Sequence, residues 1–463
     1  MDRRALSLMR IGIATVILID LSIRAGDLTT FYTDNGLWPR HILTNFGWKN
    51  GYWSLYLLNG SSAWALFLFV LHFIFAVCLL IGYKTRISTT VVWLLYVSLH
   101  NRNLFVQQAG DDLLRLVLLW GIFLPWHTNY SIDARKKNHV QQQHTAANIG
   151  YLLLLGCVYF FAAILKTGKE WYAEGDAVYY ALSLDQLKLP GLGDWLYNYP
   201  SLMKLITRLV LGMELMAALF ILAPSKKGRL RSFSFLILFL LHLGIGVTLY
   251  VGLFFLIGAV SAIGLLSSAV MDRLEKLSGF RKTTFENSQP THIPRWIGTT
   301  EKMVCVFISS FCLIINFSSA TWFNYQLKEV LLFPATSMRL DQYWGMFSPS
   351  VLKKDGWFVY YGLDSLGRQW DLRLNQDYVD FSKPKHVVSM YKNDRWRKLA
   401  ENMQGTGTFL RPLYCKHTLK QWNRDHRDKR IMTLNLFFMQ KENLPNYKTT
   451  PVTKNLYCVC IEN

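Results

Sequence analysis

The run GYLLLLGCVYFFAAILKTGKEWYAEGDAVYYAL, residues 150–182, decides the fold. Its first half is an apolar stretch close to the ~20 residues that a bilayer-crossing helix needs. At Lys166 it gives way to an aromatic, acidic segment. A lysine at such an edge ordinarily snorkels to water. Here polar residues stand at matching depth in other apolar runs: Asp20, Arg24, His72, His100, Asp111, Asp112, Arg115, Glu214 and His242. So many ionisable groups in hydrophobic runs imply a polar chamber inside a membrane bundle.

The composition agrees. Of 463 residues, 51% are hydrophobic, 15% aromatic and only 17% charged, against about 25% charged in a soluble domain. Apolar runs at 8–24, 62–83, 87–101, 111–127, 147–166, 202–223, 231–250, 251–269 and 300–320 predict a polytopic α-helical membrane protein of about nine spans. The stretch from Arg231 to Ser268 is too long for one crossing, so a turn near Tyr250–Gly252 divides it. The first run is preceded by Arg3 and Arg4 and broken at its end by Asp20 and Arg24, with no small-residue cleavage site, which predicts a retained span.

The net charge of +20 does not call for a nucleic-acid partner, because its excess sits in short loops. Lys84/Arg86, Arg135/Lys136/Lys137, Lys226/Lys227/Arg229/Arg231 and Arg273/Lys276/Arg281/Lys282 mark one side. The opposite side holds Arg40, Lys49 and Arg102, then a 167–200 segment made acidic by Glu170, Glu174, Asp176, Asp185 and Asp194. That alternation predicts a cytoplasmic N-terminus and an extracytoplasmic C-terminal region. The outer connection 25–61, with Phe31, Tyr32, Trp38, Trp48, Tyr52, Trp53 and Tyr56, is expected at the lipid headgroup level, capping the bundle together with 167–200.

Beyond Trp322 the pattern shifts to short β-branched or aromatic runs: WFVYYGL (357–363), KHVVSMY (385–391) and IMTLNLFFM (431–439). Turn signals such as Lys354-Asp355-Gly356 separate them. The expectation is a membrane domain over 1–322 and an extracytoplasmic, mostly-β domain over 323–463, with one helix near 393–404. Cys78, Cys157, Cys305 and Cys312 read as packing residues in spans. In the outer domain Cys458 and Cys460 share a strand face, so at most one of them pairs readily with Cys415. No metal-ligand spacing is present.

Five stretches carry a resemblance. RIGIATVILIDLSIRAGDLTTFYTDNGLWPR (10–40), GYKTRIS (82–88), YFFAAILKTGKEWYAEG (159–175), FLLHLGIGVTLYVGLFFLIGAVSAIGLLSS (239–268) and QYWGMFSP (342–349) resemble the vitamin K-dependent γ-glutamyl carboxylase superfamily, in its bacterial HTTM (horizontally transferred transmembrane) branch. The resemblance implies an enzyme of the bacterial inner membrane that uses a reduced naphthoquinone (vitamin K or menaquinone) with O2 and CO2. Its substrate would be glutamate in a secreted protein or peptide, and its only other expected partner is membrane lipid. By the same resemblance Lys166 and His242 fall on the catalytic lysine and the active-site histidine. Asp111 and His100 are further catalytic candidates, and Trp171, Asn101, Trp344 and Met346 are candidates for cofactor contact. No metal is implied.

The chain also departs from the animal carboxylases. Their Asn-His pair before the fourth span is replaced by Gly110-Asp111-Asp112 within HNRNLFVQQAGDDLLR (100–115). Their outer-domain histidine after an Arg-Trp step is missing, since Arg395-Trp396 continues as Arg397, Lys398 and Leu399. A non-carboxylating maturation or export factor for a secreted peptide, or a quinone- or lipid-binding membrane protein, remain the alternatives. Among local roles, Lys169 is expected in solvent, Trp171 and Tyr172 over Lys166, Glu214 beside a cation such as Arg115, Asp20 and Arg24 in an i,i+4 pair, and His72 in packing. Trp344 and Met346 either line the cofactor entrance or seat the outer domain on the bundle.

Overall fold

The computed structural model describes residues 1–46, 48–135, 146–278, 295–320, 328–405 and 407–462. The expected domain boundary at 322/323 and the loop charges Lys136, Lys137, Arg281 and Lys282 lie outside the described residues. Helices α1 (Arg3–Ala25), α2 (Ser62–Ile81), α3 (Thr85–Arg102), α4 (Ala109–Gly121), α5 (Ala146–Ile164), α6 (Pro200–Leu222), α7 (Arg229–Thr248), α8 (Phe254–Ser261), α9 (Ser268–Ser278) and α10 (Arg295–Ser318) build the bundle.

Their ends follow from local chemistry. The Asp2 carboxylate accepts from the Arg4 and Ala5 amides at the start of α1, and the Ser61 hydroxyl caps α2. Pro200 opens α6, where no intrahelical N–H is needed. Gly82 ends α2 in the left-handed region at φ 69°, a conformation glycine adopts without a Cβ clash. The start of α3 borrows its cap from afar, the Asp133 carboxylate accepting from the Lys84 and Thr85 amides at 3.0 and 2.7 Å.

Among the described residues six helices are long and apolar enough to cross a membrane: α1, α2, α5, α6, α7 and Gly298–Ser318 within α10. The bent pair Phe254–Leu265 and Ser268–Leu277, at 109°, makes up to seven. The three other runs expected as spans form α3, which is too polar for the same standard, α4, which at 13 residues is roughly 20 Å long, and the short α8. α4 is buried along most of its length, which is why its run looked as apolar as a lipid-facing span. The predicted break near Tyr250–Gly252 is present between α7 and α8. Broad apolar faces point outward from α2 (Leu66, Phe67, Val70), α6 (Leu205, Leu209) and α7 (Phe239, Leu240), as lipid contact requires.

One end of the bundle is tied by Arg10, fully buried, whose guanidinium donates to the carbonyls of Leu80, Trp126 and Tyr130 at 2.7, 3.1 and 2.6 Å and also to that of Leu79. The opposite end carries the connections 25–61 and 167–200 and, on top of them, the C-terminal region. Both connections reach that region, through Asp27–Lys392 at 2.7 Å and Asp185–Lys383 at 2.9 Å. The aromatics Phe31, Tyr32, Trp38 and Tyr56 are buried in the core, not spread along a headgroup plane as expected. Their rings find apolar partners, among them Trp396 and Phe69, that the local sequence does not reveal.

The C-terminal region is an α+β unit. Strands β1 (Lys354–Leu363), β2 (Gln369–Asp371), β3 (Thr433–Glu442) and β4 (Thr453–Ile461) form an antiparallel sheet in the order β2-β1-β3-β4. Its central register pairs Val359 with Phe437, and a bulge follows Leu436 against β4. Helix α11 (Asp394–Gln404) lies where a helix was expected, capped by Asn393. A second helix, α12 (Leu410–Asp425), was not anticipated and corrects the mostly-β reading. Pro412 falls in its first turn, where proline costs no hydrogen bond. The run 385–391 is no strand either, its centre Val387–Met390 forming a 3-10 turn.

Candidate active site

Lys166 follows α5 by two residues, and its side chain folds back along the helix. The Lys166 ammonium donates to the Ala162 carbonyl at 2.7 Å, an orphan acceptor at a helix C-terminus where positive charge is favoured. The same Nζ reaches both oxygens of Glu214 on α6, each at 2.8 Å. Lys166 is only 2% exposed, so it does not snorkel. Glu214 therefore pairs with Lys166 and not with Arg115, which holds Asp112 at 2.8 Å and donates to the Arg339 and Asp341 carbonyls.

A buried lysine–carboxylate pair loses the hydration of both ions, and ammonium and carboxylate are then held by each other. The Trp171 ring lies 5.1 Å from Nζ, within cation–π range. Tyr172, expected to share that cover, is 60% exposed and does not. Lys169 faces solvent as expected and pairs with Glu174 at 2.9 Å.

His242 stands on α7 against the same face of α5. Its Nε2 is 2.8 Å from the Tyr159 hydroxyl, and its ring meets Phe254 edge-on at 5.4 Å. Gly258 of α8 lies flush on the imidazole, where a Cβ would come within 2.1 Å of ring atoms. Tyr159 and Lys166 are seven residues apart, two helical turns and roughly 10 Å along one face. Lys166, Glu214, Tyr159 and His242 thus line one seam between α5, α6 and α7.

His100 and Asp111 belong to a different cluster. Asp111 accepts from Arg24 at 2.9 Å and from Arg395 at 2.8 Å, and His100 lies 3.6 Å away. Asp20 accepts from Arg24 and Arg395, both at 2.7 Å, and from the Tyr96 hydroxyl at 3.0 Å. Arg24 also donates to the Tyr32 hydroxyl at 2.7 Å. All of these groups are buried. The Asp20–Arg24 pair exists as expected, inside this larger network, and His72 packs edge-on to Tyr96.

The cofactor-contact candidates divide in the same way. Asn101 is engaged on both sides, donating to the Trp53 carbonyl at 2.7 Å and accepting from Arg339. Trp344 is completely buried, with its indole N–H on Gln342 at 2.9 Å. The segment after it closes over the lysine turn. The Phe347 carbonyl accepts from Trp171 Nε1 at 3.0 Å, the Pro349 carbonyl from the Gly168 amide at 2.8 Å, and the Val351 amide donates to Glu170 at 2.8 Å. Met346 is half-buried within it. Of the two roles open for Trp344 and Met346, this arrangement fits the seating of the C-terminal region on the bundle.

Sequence reasoning missed Arg395 as a member of the inner cluster and Tyr159 as the partner of His242. Tyr159 was recoverable, being two turns before Lys166. Arg395 carried no local signal, since its carboxylates lie 284 and 375 residues away in the chain.

Membrane-length apolar helices with a buried polar seam define a membrane protein. The chain belongs to the HTTM domain family, whose model matches residues 1–262, and this domain is found in vitamin K-dependent carboxylase-related proteins. No curated protein and no solved structure matches the chain.

The buried Nδ1 of His242 lacks a hydrogen-bond partner among the described residues, and Tyr159, Phe254 and Trp171 supply aromatic surface around it and Lys166. No group of three or more His, Cys, Asp or Glu side chains able to hold a metal ion occurs among the described residues.

Proposed function

We propose that the protein is a γ-carboxylase-like enzyme of the bacterial inner membrane, modifying glutamate in a secreted protein or peptide at the extracytoplasmic face. The observation that carries this reading is the buried Lys166 amine, paired with Glu214 and covered by Trp171. A reduced naphthoquinone, when bound, would supply with O2 the strong base that removes a γ-carbon proton before CO2 adds. The protein's part is to take a proton from the ring hydroxyl and to exclude water. Lys166 is the base in this reading, because its amine is buried in the seam with Glu214 as its hydrogen-bond partner. His242, whose Nδ1 has no partner among the described residues, would orient the opposite ring oxygen.

Orientation follows from charge. The outer region docks where α1 ends, opposite Arg3 and Arg4, so a cytoplasmic N-terminus puts it outside. The test is co-expression with a glutamate-rich secreted peptide and mass spectrometry for a gain of one carbon dioxide, lost in Lys166→Ala.

A second reading, a non-carboxylating maturation or export factor, draws on one observation. Within the Arg395-Trp396-Arg397 step, where carboxylases carry their outer histidine, Arg395 and Trp396 dock α11 on the bundle and Arg397 pairs with Asp394 and Glu401 of its own helix. Peptide processing without added mass would favour it.

A further inference from the structure

We propose that the open edge of β4 takes an extended, glutamate-bearing segment of the peptide substrate as a fifth strand of the sheet. This rests on the reading of the protein as a glutamate-modifying enzyme.

The order β2-β1-β3-β4 leaves β4 without a strand neighbour on its far side among the described residues. The ladder fixes what that side offers. The Glu462 amide donates to the Met432 carbonyl at 2.8 Å, and the same register sets Cys460 opposite Leu434. Inward bonding alternates along an antiparallel strand, so Val459 and Ile461 turn their N–H and C=O groups to the open side. Natural edges are guarded by lysine, proline or a bulge. Here Lys454 and the irregularity beside Leu436 lie toward the start of the strand, and the stretch from Cys458 to Ile461 has no such guard.

Side chains define the guest. Cys460 meets Cys415 of α12 at 2.8 Å, so Val459 and Ile461, both exposed, stand on the other face. On α12, Tyr414 reaches back to Tyr360 of β1 at 2.8 Å and Cys415 sits over β4. Lys416, roughly 100° further round the helix, therefore overhangs the open edge, and Lys420 follows one turn on. Both lysines are exposed, and no acidic residue occurs from Thr453 to Ile461. A strand laid there sets every second side chain beside Val459 and Ile461 and the others under the two lysines. The matching guest alternates apolar residues with glutamates.

The start of β4 points such a guest at Lys166. The β3–β4 turn rests on the 167–200 connection, where Asn443 donates to the Ser183 carbonyl at 3.0 Å and the Tyr447 hydroxyl to the Tyr197 carbonyl at 2.7 Å. That connection begins at the lysine turn.

Fluorescence anisotropy of the full chain in detergent, with a labelled peptide alternating Glu and Val, reads the edge without turnover. Saturable binding is expected, weakened at least tenfold in Lys416→Glu/Lys420→Glu and in Val459→Pro, whose lost N–H lies outside the β3 ladder. A peptide of the same composition in Glu-Glu-Val-Val blocks should bind at least tenfold more weakly. If the proline variant does not fold, N-methylation of alternate residues of the peptide removes the same hydrogen bonds. No binding by the wild type, or equal binding of the alternating, blocked and methylated peptides, overturns the proposal. So does a dimer by light scattering that Val459→Pro converts to a monomer, which gives the edge to a second copy. Binding as expected to a peptide that is never modified strikes the enzyme reading and leaves the edge site standing.

Discussion

Removing Arg395 should loosen the C-terminal region far more than removing an exposed arginine. Its guanidinium bridges Asp20 and Asp111 at 2.7 and 2.8 Å, and Arg24 holds the same two carboxylates at 2.7 and 2.9 Å. Two cations therefore balance two anions in a site where every member is at most 5% exposed. Arg395→Met keeps the bulk and leaves two carboxylates sharing Arg24. Stripping one partner from a buried ion cluster costs about 3–5 kcal/mol, whereas an exposed pair is worth about 1 kcal/mol or less. At about 1.4 kcal/mol per factor of ten, the undocked population of α11 rises by roughly two to three and a half orders of magnitude.

Amide exchange of residues 392–404, followed by mass spectrometry in detergent, should accelerate by that factor. Adding Asp20→Asn restores one cation to one anion, and the double variant should recover most of the protection. Exchange in the double variant as fast as in the single one would refute the charge-balance reasoning and leave only lost contacts as the cause.

Four further outcomes are expected. Lys166→Ala should abolish product formation while expression stays near normal, and Lys169→Ala should be silent; equal behaviour of the two in the mass-spectrometric assay would strip Lys166 of its role. Asp355 is buried beside Asp185, and burial first, then that neighbouring charge, push its carboxyl up to about 6 from 3.8. The folded state thus binds this proton more tightly than the unfolded one, so the contribution is complete below about pH 4 and lost as pH rises through about 6. It amounts to roughly 3 kcal/mol at most, and thermal melts should show Asp355→Asn flattening that decline; an unchanged slope would assign it to other groups. Oxidation should join Cys415 to Cys460, whose sulfurs lie 2.8 Å apart, and peptide mapping without reductant would contradict this by finding Cys458 in the bridge. A C-terminal alkaline phosphatase fusion should be active, and strong signal from a cytoplasm-dependent reporter there would reverse the orientation.

Much of the site was legible because depth along a helix can be read from sequence. Lys166 at a span's end, His242 in an apolar run and Lys169 in solvent all follow from position. Helix rotation and helix neighbours cannot be read in this way. Glu214 was given to Arg115 although it faces Lys166, because both cations lay at plausible depth. The same limit explains the spans. An apolar run records burial without saying whether lipid or protein does the burying, so α4, enclosed by other helices, passed for a crossing. In the C-terminal region α12 was missed because its apolar residues, among them Cys415, Leu419 and Trp422, are sparse and meet β3 and β4 only after the chain folds back.

The Asp20–Arg24–Asp111–Arg395 cluster also sets an order of manufacture. A ribosome delivers α1 and α4 long before α11, so the young bundle holds two acids against one base while the 284 residues from Asp111 to Arg395 are made. During that interval the wall of the bundle near Asp111 has reason to stay open or hydrated. The arrival of Arg395 seals it, so a later-made part of the chain completes an earlier one.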